Sequence, residues 1–384
     1  MIRIKNAIRI FEKSNLQASD YSNEGIYPFY TSSQNLTKKC DVALFPEDSI
    51  TMGTGGQASV NYSDASFSTS TDCFNFQSIF GKDYTKFIYY YLLAHIDEIN
   101  SLGFQGMGLK HLQKDFIYNL EFDENLISKE KISYLDCLSQ CINALITNEE
   151  KQIEKLKAYK QVLISEVVTK GLDPNVPMKD SGVEWIGKIP ANWSVAILKS
   201  FFKEHKNKNK NMRERNLLSL SYGNIVRKDI NSNDGLLPWS FEGYNIVEPG
   251  FIVLRLTDLQ NDKKSLRTGL VNERGIITSA YVSLSPRTNV NSYYYQKLLH
   301  SYDLKKVFYN MGSGVRQSLS YEEVSKIPVL VPPISEQDKI CSFIQNELGK
   351  YDIFITKKQS LIDLLKQYRQ SVIYEYVTGK RKVY

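Results

Sequence analysis

No run of roughly 18 apolar residues occurs in the chain, and its opening residues (MIRIKNAIRIFEKS) contain no long apolar stretch. A spanning helix needs about 20 such residues. A protein that is neither secreted nor inserted in a membrane, and that works in the cytoplasm, is therefore expected. Cysteine is sparse. Cys40, Cys73, Cys137, Cys141 and Cys341 form no Cys-x-x-Cys pair and sit among apolar neighbours, which argues against a disulfide framework. The histidines (His95, His111, His205, His300) are scattered and match no zinc spacing. There is no Walker A loop and no Asn-Pro-Pro-Tyr-type motif for methylating a base amino group. Gly53-Thr54-Gly55-Gly56-Gln57 fits neither the G-x-G-x-x-G nor the P-loop pattern, and Asp262-Lys263-Lys264 is the kind of triplet found on solvated loops. A chain without catalytic residues, metal ligands or a cofactor of its own is expected.

What the sequence does have is a repeat. IEKLKAYKQVLISEVVTKG (from Ile153) returns as IDLLKQYRQSVIYEYVTGK (from Ile362) at a constant offset of 209 residues. Leu156/Leu365, Tyr159/Tyr368, Ile164/Ile373 and Thr169/Thr378 are among the identical pairs, and Ile146/Ile355 extends the match upstream. The copies share a hydrophobic phase: Ile132, Leu135, Ile142, Ile146, Ile153, Leu156, Leu163 and Val167 in the first, Cys341, Ile344, Leu348, Tyr351, Ile355, Ile362, Leu365, Val372 and Tyr376 in the second. Spacing of three and four residues over five or six heptads predicts a coiled-coil seam rather than an ordinary core helix. Two helices of about 40 residues would each span roughly 60 Å. Two independent helices, one per domain, are the alternative. Glu149 and Lys358 take corresponding seam positions with opposite charge, as a register-setting pair or a merely solvated one.

The chain's 384 residues imply two or three domains, and 42% hydrophobic content suffices for real cores. The net charge of +6 permits a nucleic-acid partner without demanding one. Its distribution is more telling: residues 199–230 hold nine Lys/Arg against three acids, interleaved with Asn, Ser and Tyr. Such a stretch suits phosphate contact, although a solvated basic loop would look the same.

In chain order, residues 1–125 form a first globular part. Short apolar runs at Asp41–Phe45 and Phe74–Gln77 are predicted strands of a small irregular sheet, and Tyr84–Ile99 a helix. Gly103, Gly106 and Gly108 mark a loop before an apolar strand within Leu109–Leu120. The first long helix occupies 126–171 with Ser128 as N-cap. Residues 172–194 read as an extended linker whose Trp185, Ile186 and Trp193 should dock onto something. A second globular part covers 195–333, with strands at Leu217–Leu220, Phe251–Leu254 and Gly275–Leu284 and a helix at Ser292–Asn310; the second long helix fills 334–384. Both parts end in helix, glycine loop, strand and long helix, so the duplication covers the whole unit even though the first halves have diverged. His95 and His300 fall in corresponding helices and read as structural. The expected fold class is α+β: two mixed domains with small irregular sheets, separated by two long helices in an antiparallel coiled coil with pseudo-two-fold symmetry.

Several stretches resemble the specificity (S) subunit of type I restriction-modification systems. They are MKDSGVEWIGKIPANW (Met178 to Trp193), EPGFIVLRLTDLQNDKKSLRTGLVNERGIITSAYVSLSP (Glu248 to Pro286) and GSGVRQSLSYEEVSKIPVLVPPISEQDKI (Gly312 to Ile340). The first half matches less literally, through YPFYTSSQN, ITMGTGGQASV and LISKEKI, and lacks the tryptophan phrase at its start and the Pro-Pro at its boundary. The resemblance implies two target-recognition domains, each reading one half of a split asymmetric site in double-stranded DNA. It also implies helices that space the domains and dock two modification (M) subunits carrying S-adenosylmethionine, with restriction (R) subunits supplying ATP/Mg-dependent translocation and cleavage. Two readers on one face of B-DNA would sit about 34 Å apart. Lys and Arg would supply salt-sensitive affinity, and loop side chains would read base edges in the major groove. The candidate DNA-binding residues are Thr31, Ser32, Ser33, Gln34, Asn35, Thr54, Gln57 and Lys110 in the first domain. In the second they are Tyr222, Asn224, Arg227, Lys228, Arg255, Asp258, Asn261, Lys263, Arg267, Arg316 and Gln317. The competing readings are a coiled-coil scaffold that does not read DNA and a metal-dependent nuclease.

Overall fold

The computed structural model describes residues 1–33, 38–231, 238–260, 262, 266–287, 290–311 and 318–381. It divides into two compact units, Met1–Lys151 with Lys358–Tyr384, and Gln152–Lys357. The boundaries expected at 125/126, 171/172, 194/195 and 333/334 are not where the units part. Each unit instead takes in segments of both long helices, because helix faces supply part of each core.

The first unit is built on a four-stranded antiparallel sheet in the spatial order Ile8–Ile10, Cys73–Ser78, Ser49–Gly53, Val60–Ser63. Ser49–Gly53 is central and buried along its whole length, as a strand covered on both faces must be. Asp41–Phe45 is not a strand. Only Phe45 pairs, as an isolated bridge to Phe67, and the Ser68 hydroxyl receives the Leu44 N–H and donates to the Val42 carbonyl in place of a ladder. The predicted helix is present at Lys82–Ala94 and runs on through Ile96–Glu98 into a wide turn at Ile99–Gly103. The strand expected within Leu109–Leu120 is also corrected. Phe104–Gln105 pairs with His111–Leu112 in a minimal hairpin, and Lys114–Asn119 is a short helix whose inward face is one residue, Ile117. Ile2–Arg3 then pairs with Glu121–Phe122, so the start of the unit meets the end of its globular part.

The first long helix runs Lys129–Lys170, and Ser128 caps it by accepting the Lys131 N–H at 3.2 Å. Within the first unit Ile132 and Leu135 join a core containing Ile50, Phe76 and Ile88, together with Val372, Ile373, Tyr376 and Val377 from the far end of the chain. Tyr134 packs on Tyr376 with ring centroids 4.9 Å apart, Arg369 bonds the Asn143 side chain, and Lys358 Nζ lies 2.9 Å from Glu149 Oε2. Rising numbers on one helix meet falling numbers on the other, so these segments are antiparallel.

The second unit has the same sheet order from unrelated residues: Phe202–Glu204, Val282–Pro286, Ile252–Leu254, Thr268–Leu270, all antiparallel. In both units the strands stand in the order first, fourth, second, third, and a 13-residue helix follows the fourth strand. Here too the opening strand pairs with the closing one, Ser194–Ile197 with Pro328–Val331. The predicted strand Gly275–Leu284 is interrupted by a turn in which the Tyr281 N–H reaches the Thr278 carbonyl, leaving Gly275–Ile277 and Val282–Pro286. Residues 172–194 are not an extended linker. Met178–Asp180 and Lys188–Pro190 form a hairpin, and Ile186, Ile189 and Trp193 lie in the unit's main core. Trp193 Nε1 donates to Glu336 at 2.9 Å, and the buried Tyr294 hydroxyl donates to the Val168 carbonyl, tying the long helix to the domain body. The second long helix is broken. It comprises Ile334–Asn346 and Gly349–Val377, with the buried Leu348 and the Glu347 between them spanned by irregular backbone bonds. Gly349, a poor helix former, opens the second segment, and Leu348 beside it is buried. No helix among the described residues is long and apolar enough to cross a membrane.

Glu149 and Lys358 are 15% and 26% exposed, partly withdrawn from water beside an apolar seam. A double-mutant cycle with alanine at both positions, read by urea unfolding, is expected to give a coupling of about 1 kcal/mol; zero coupling would mark the pair as merely solvated.

Candidate nucleic-acid interface

In the first unit the sheet's central strand ends at Gly53, and the chain then enters the Thr54–Gln57 loop. A side chain at Gly53 would place its Cβ 2.7 Å from Ser32 Cα, so the glycine lets the Thr31–Ser33 turn lie directly against the strand end. That turn is closed by the Ser33 N–H bonding Thr31 Oγ1 at 3.3 Å. On the other side the Gly56 N–H reaches the Lys110 carbonyl and the Leu112 N–H the Thr54 carbonyl, both at 2.9 Å. The structure thus gathers Thr31, Ser32, Ser33, Thr54, Gln57 and Lys110, residues drawn from three separate stretches, at one end of the sheet. Gln34 and Asn35 lie outside the described residues. Below these loops is a cavity of about 240 Å³, lined in part by Lys13, Thr54, Asn75, His111 and Lys114, with Glu12 as its one carboxylate. Sequence reasoning missed Lys13, His111 and Lys114, because the charge comes from distant segments with no local basic run.

The second unit presents a hairpin, Leu218–Ser221 with Asn224–Arg227, whose tip is Tyr222-Gly223. Tyr222 has φ 45° and Gly223 φ 80°, the two left-handed residues of a tight hairpin turn, and Tyr222 is 79% exposed. Gly223 packs against Leu266 and His300, which brings the tip to the segment 255–267. Asn224 and Lys228 are exposed there. Lys210, Arg213 and Arg215 of the basic stretch are exposed too, and among the described residues these three and Lys228 make no ion pair. Arg227 is exposed but already engaged: its Nε lies 2.6 and 2.8 Å from the two carboxylate oxygens of Glu273. Arg255 is ion-paired to Asp262 at 3.3 Å, and Asp258 takes a left-handed φ of 57° within the same loop. Trp239, which sequence reasoning passed over, stands fully exposed.

Arg267 is the clear correction. It was expected to face DNA, yet it is fully buried, and its guanidinium donates to the carbonyls of Arg255, Thr257, Asp258 and Asp262 while Nε donates to the Tyr309 hydroxyl. With its donors spent on backbone carbonyls it organises the 255–262 loop instead of reading a base. Its own N–H is accepted by the buried Asp303, whose carboxyl burial pushes above the usual carboxylate range. Asn261, Lys263, Arg316 and Gln317 lie outside the described residues.

The two units therefore define a class: a protein with two repeated α+β modules, each presenting loops with exposed polar and basic side chains at a sheet's edge. Residues 1–158 match the family described as the type I restriction modification DNA specificity domain. The match covers that segment, and it supports a part in DNA sequence specificity. No curated protein matches the sequence. Among solved structures, a chain from work on complex assembly and conformational transition of the type I R-M system shares 10% identity over 98% of both chains with a TM-score of 0.60, a likeness of fold. Lower TM-scores, 0.41 and 0.43, are found for the S subunit from M. genitalium (14% identity, 100% of this chain and 96% of that one) and the HsdS subunit from Thermoanaerobacter tengcongensis (10%, 99% and 96%).

Substituting Arg267→Met strips the 255–262 loop of its buried donors and should destabilise the second unit by about 3 kcal/mol in urea unfolding. Lys228→Ala should leave that midpoint in place and instead lower the slope of log affinity against log salt by about 1 in DNA titrations. His300 supplies a pH signature. Burial and the neighbouring Lys297 push its pKa from 6.5 down to about 4, so the fold holds it neutral while the unfolded chain protonates freely. Its stability contribution is intact above pH 6.5 and drains away as pH falls toward 4. Between about pH 7 and about pH 5 the unit should lose about 2 kcal/mol, a loss that His300→Gln removes.

Proposed function

We propose that this chain is the specificity subunit of a type I restriction-modification complex and that each unit reads one half of a bipartite, asymmetric site in double-stranded DNA. One observation carries the proposal: the second unit repeats, strand for strand, the sheet order of the unit matched as a DNA specificity domain. A module duplicated in fold but changed in its loops suits a second reader with a different target. The first set is Thr31, Ser32, Ser33, Thr54, Gln57 and Lys110; the second is Tyr222, Asn224 and Lys228, with Arg255 and Asp258 behind them. Gln34, Asn35, Asn261, Lys263, Arg316 and Gln317 stay in the proposed sets on their sequence positions alone.

The long helices set the spacing between half-sites and dock two modification subunits. Supporting this, their faces away from the seams leave large apolar side chains in water. These are Leu145, Leu361, Leu364 and Tyr368 in the first unit, and Val162, Ile353 and Phe354 in the second. Clusters of this kind mark protein contact surfaces. Catalysis belongs to the partners: adenine methylation with S-adenosylmethionine in the modification subunits, and ATP/Mg-driven translocation and cleavage in restriction subunits, all in the cytoplasm. This chain supplies the address.

The test is adenine-methylation mapping of DNA from cells that express the chain with its cognate modification subunit, compared with cells lacking the chain. A new split motif that vanishes with the chain is expected. An unchanged methylome would favour the scaffold reading, and methyl transfer or metal-dependent cleavage by the purified chain alone would overturn the division of labour.

A further inference from the structure

The loop between Phe104–Gln105 and His111–Leu112 carries a side chain that the free protein does not use. Met107 is 106% exposed, touching nothing of its own chain, and Leu109 two residues on is 64% exposed. The loop is well anchored. Its flanking strands pair as Gln105 with His111 and Phe104 with Leu112, and the Gln113 N–H bonds the Gly103 carbonyl at 2.8 Å. Gly106, at φ 145°, lies under the Leu109 carbonyl, where a Cβ would come within 2.8 Å of that oxygen. The backbone of the tip is thus tightly closed at Gly106 while Met107 stands in water.

We propose that Met107, backed by Leu109, is a wedge that enters a base step of the first half-site and unstacks it. The proposal rests on the DNA-reading function above and extends it to how the duplex is deformed. The surroundings point to DNA. Lys110 and His111 follow the wedge directly, its loop is bonded to the Thr54–Gln57 loop, and Lys13 and Lys114 line the cavity at its foot. The size of the feature agrees. Specific protein–protein contacts bury on the order of 1,200–2,000 Å², far beyond two side chains on one turn, whereas one apolar side chain suits the gap opened at a single base step. Inserted Met, Leu or Phe wedges kink duplexes in this way. Pyrimidine–purine steps unstack most readily, so the entered step is a TA or a CA/TG.

The experiment uses the complete chain with its cognate modification subunits and a duplex carrying the mapped site. 2-Aminopurine is placed in turn along the first half-site, and dyes on the duplex ends report bending. Wild-type complex should raise fluorescence at one step and shorten the end-to-end distance. Met107→Ala with Leu109→Ala should abolish both signals and weaken binding about tenfold, while Met107→Leu, which keeps an apolar wedge, should preserve them. Lys110→Ala should weaken binding in a salt-dependent way yet keep the fluorescence rise. Unchanged unstacking and bending in the double variant would overturn the wedge and leave the DNA-reading function standing. Loss of the modification subunit from the double variant, with unstacking unchanged, would assign the tip to a protein contact and also overturn it. Failure of the wild-type complex to hold the duplex at all would remove both the function and the wedge.

Discussion

A long helix with an apolar stripe cannot stand alone in water, and this architecture follows from how the two stripes are covered. Neither long helix is buried by its own domain alone. The first unit's core is completed by Val372, Ile373, Tyr376 and Val377, from the far end of the sequence, and the second unit's core takes in Ile164, Val167 and Val168. Burying three or four such side chains is worth several kcal/mol, on the order of the net stability of a domain. The small sheets alone could not supply this. Their strands are mostly three to five residues long, and each unit also depends on the helix behind its fourth strand.

With the frame fixed in this way, most side chains of the loops at the sheet ends contribute nothing to a core. The exposed positions of the Thr31–Ser33, Thr54–Gln57 and Tyr222–Asn224 segments bear side chains that no core requires, while the backbone beneath them is held by specific contacts such as Gly53 against Ser32. Precision in the backbone with freedom in the side chains is what a sequence reader needs. Arg267 shows the other half of the arrangement. A guanidinium with its donors on loop carbonyls is expensive to bury, and what it secures is the path of residues 255–262, from which Arg255 and Asp258 project.

The helices were legible because an apolar stripe repeating every three or four residues over forty positions suits a long packed helix and little else. The gapless repeat between Ile153 and Ile362 made the duplication legible too. The sheets were far less so. Asp41–Phe45 and Leu109–Leu120 have strand-like composition, but Ser68 satisfies the backbone of the first, and the second folds as a turn and a short helix. A three-residue strand carries too little pattern to separate these outcomes. The shared strand order of the two units could not be read at all, since no residue match carries it. Candidate loops in the first unit were found from turn-forming residues, and their convergence came only with tertiary structure. Arg267 failed for a related reason: in a basic stretch, nothing local distinguishes a buried arginine from an exposed one.

The late arrival of Val372 to Val377 in the first core has a consequence for synthesis. A ribosome emits the entire first sheet and the first long helix more than two hundred residues before the segment that covers them. Throughout that interval the core around Ile132 and Leu135 has its sheet and helix partners but lacks its final cover, while the second unit, lying wholly between residues 152 and 357, can fold beforehand. Closing so long a loop costs only slightly more than closing a short one, so the finished chain loses little by the delay. The nascent chain bears it instead, as a half-made domain waiting for its last helix.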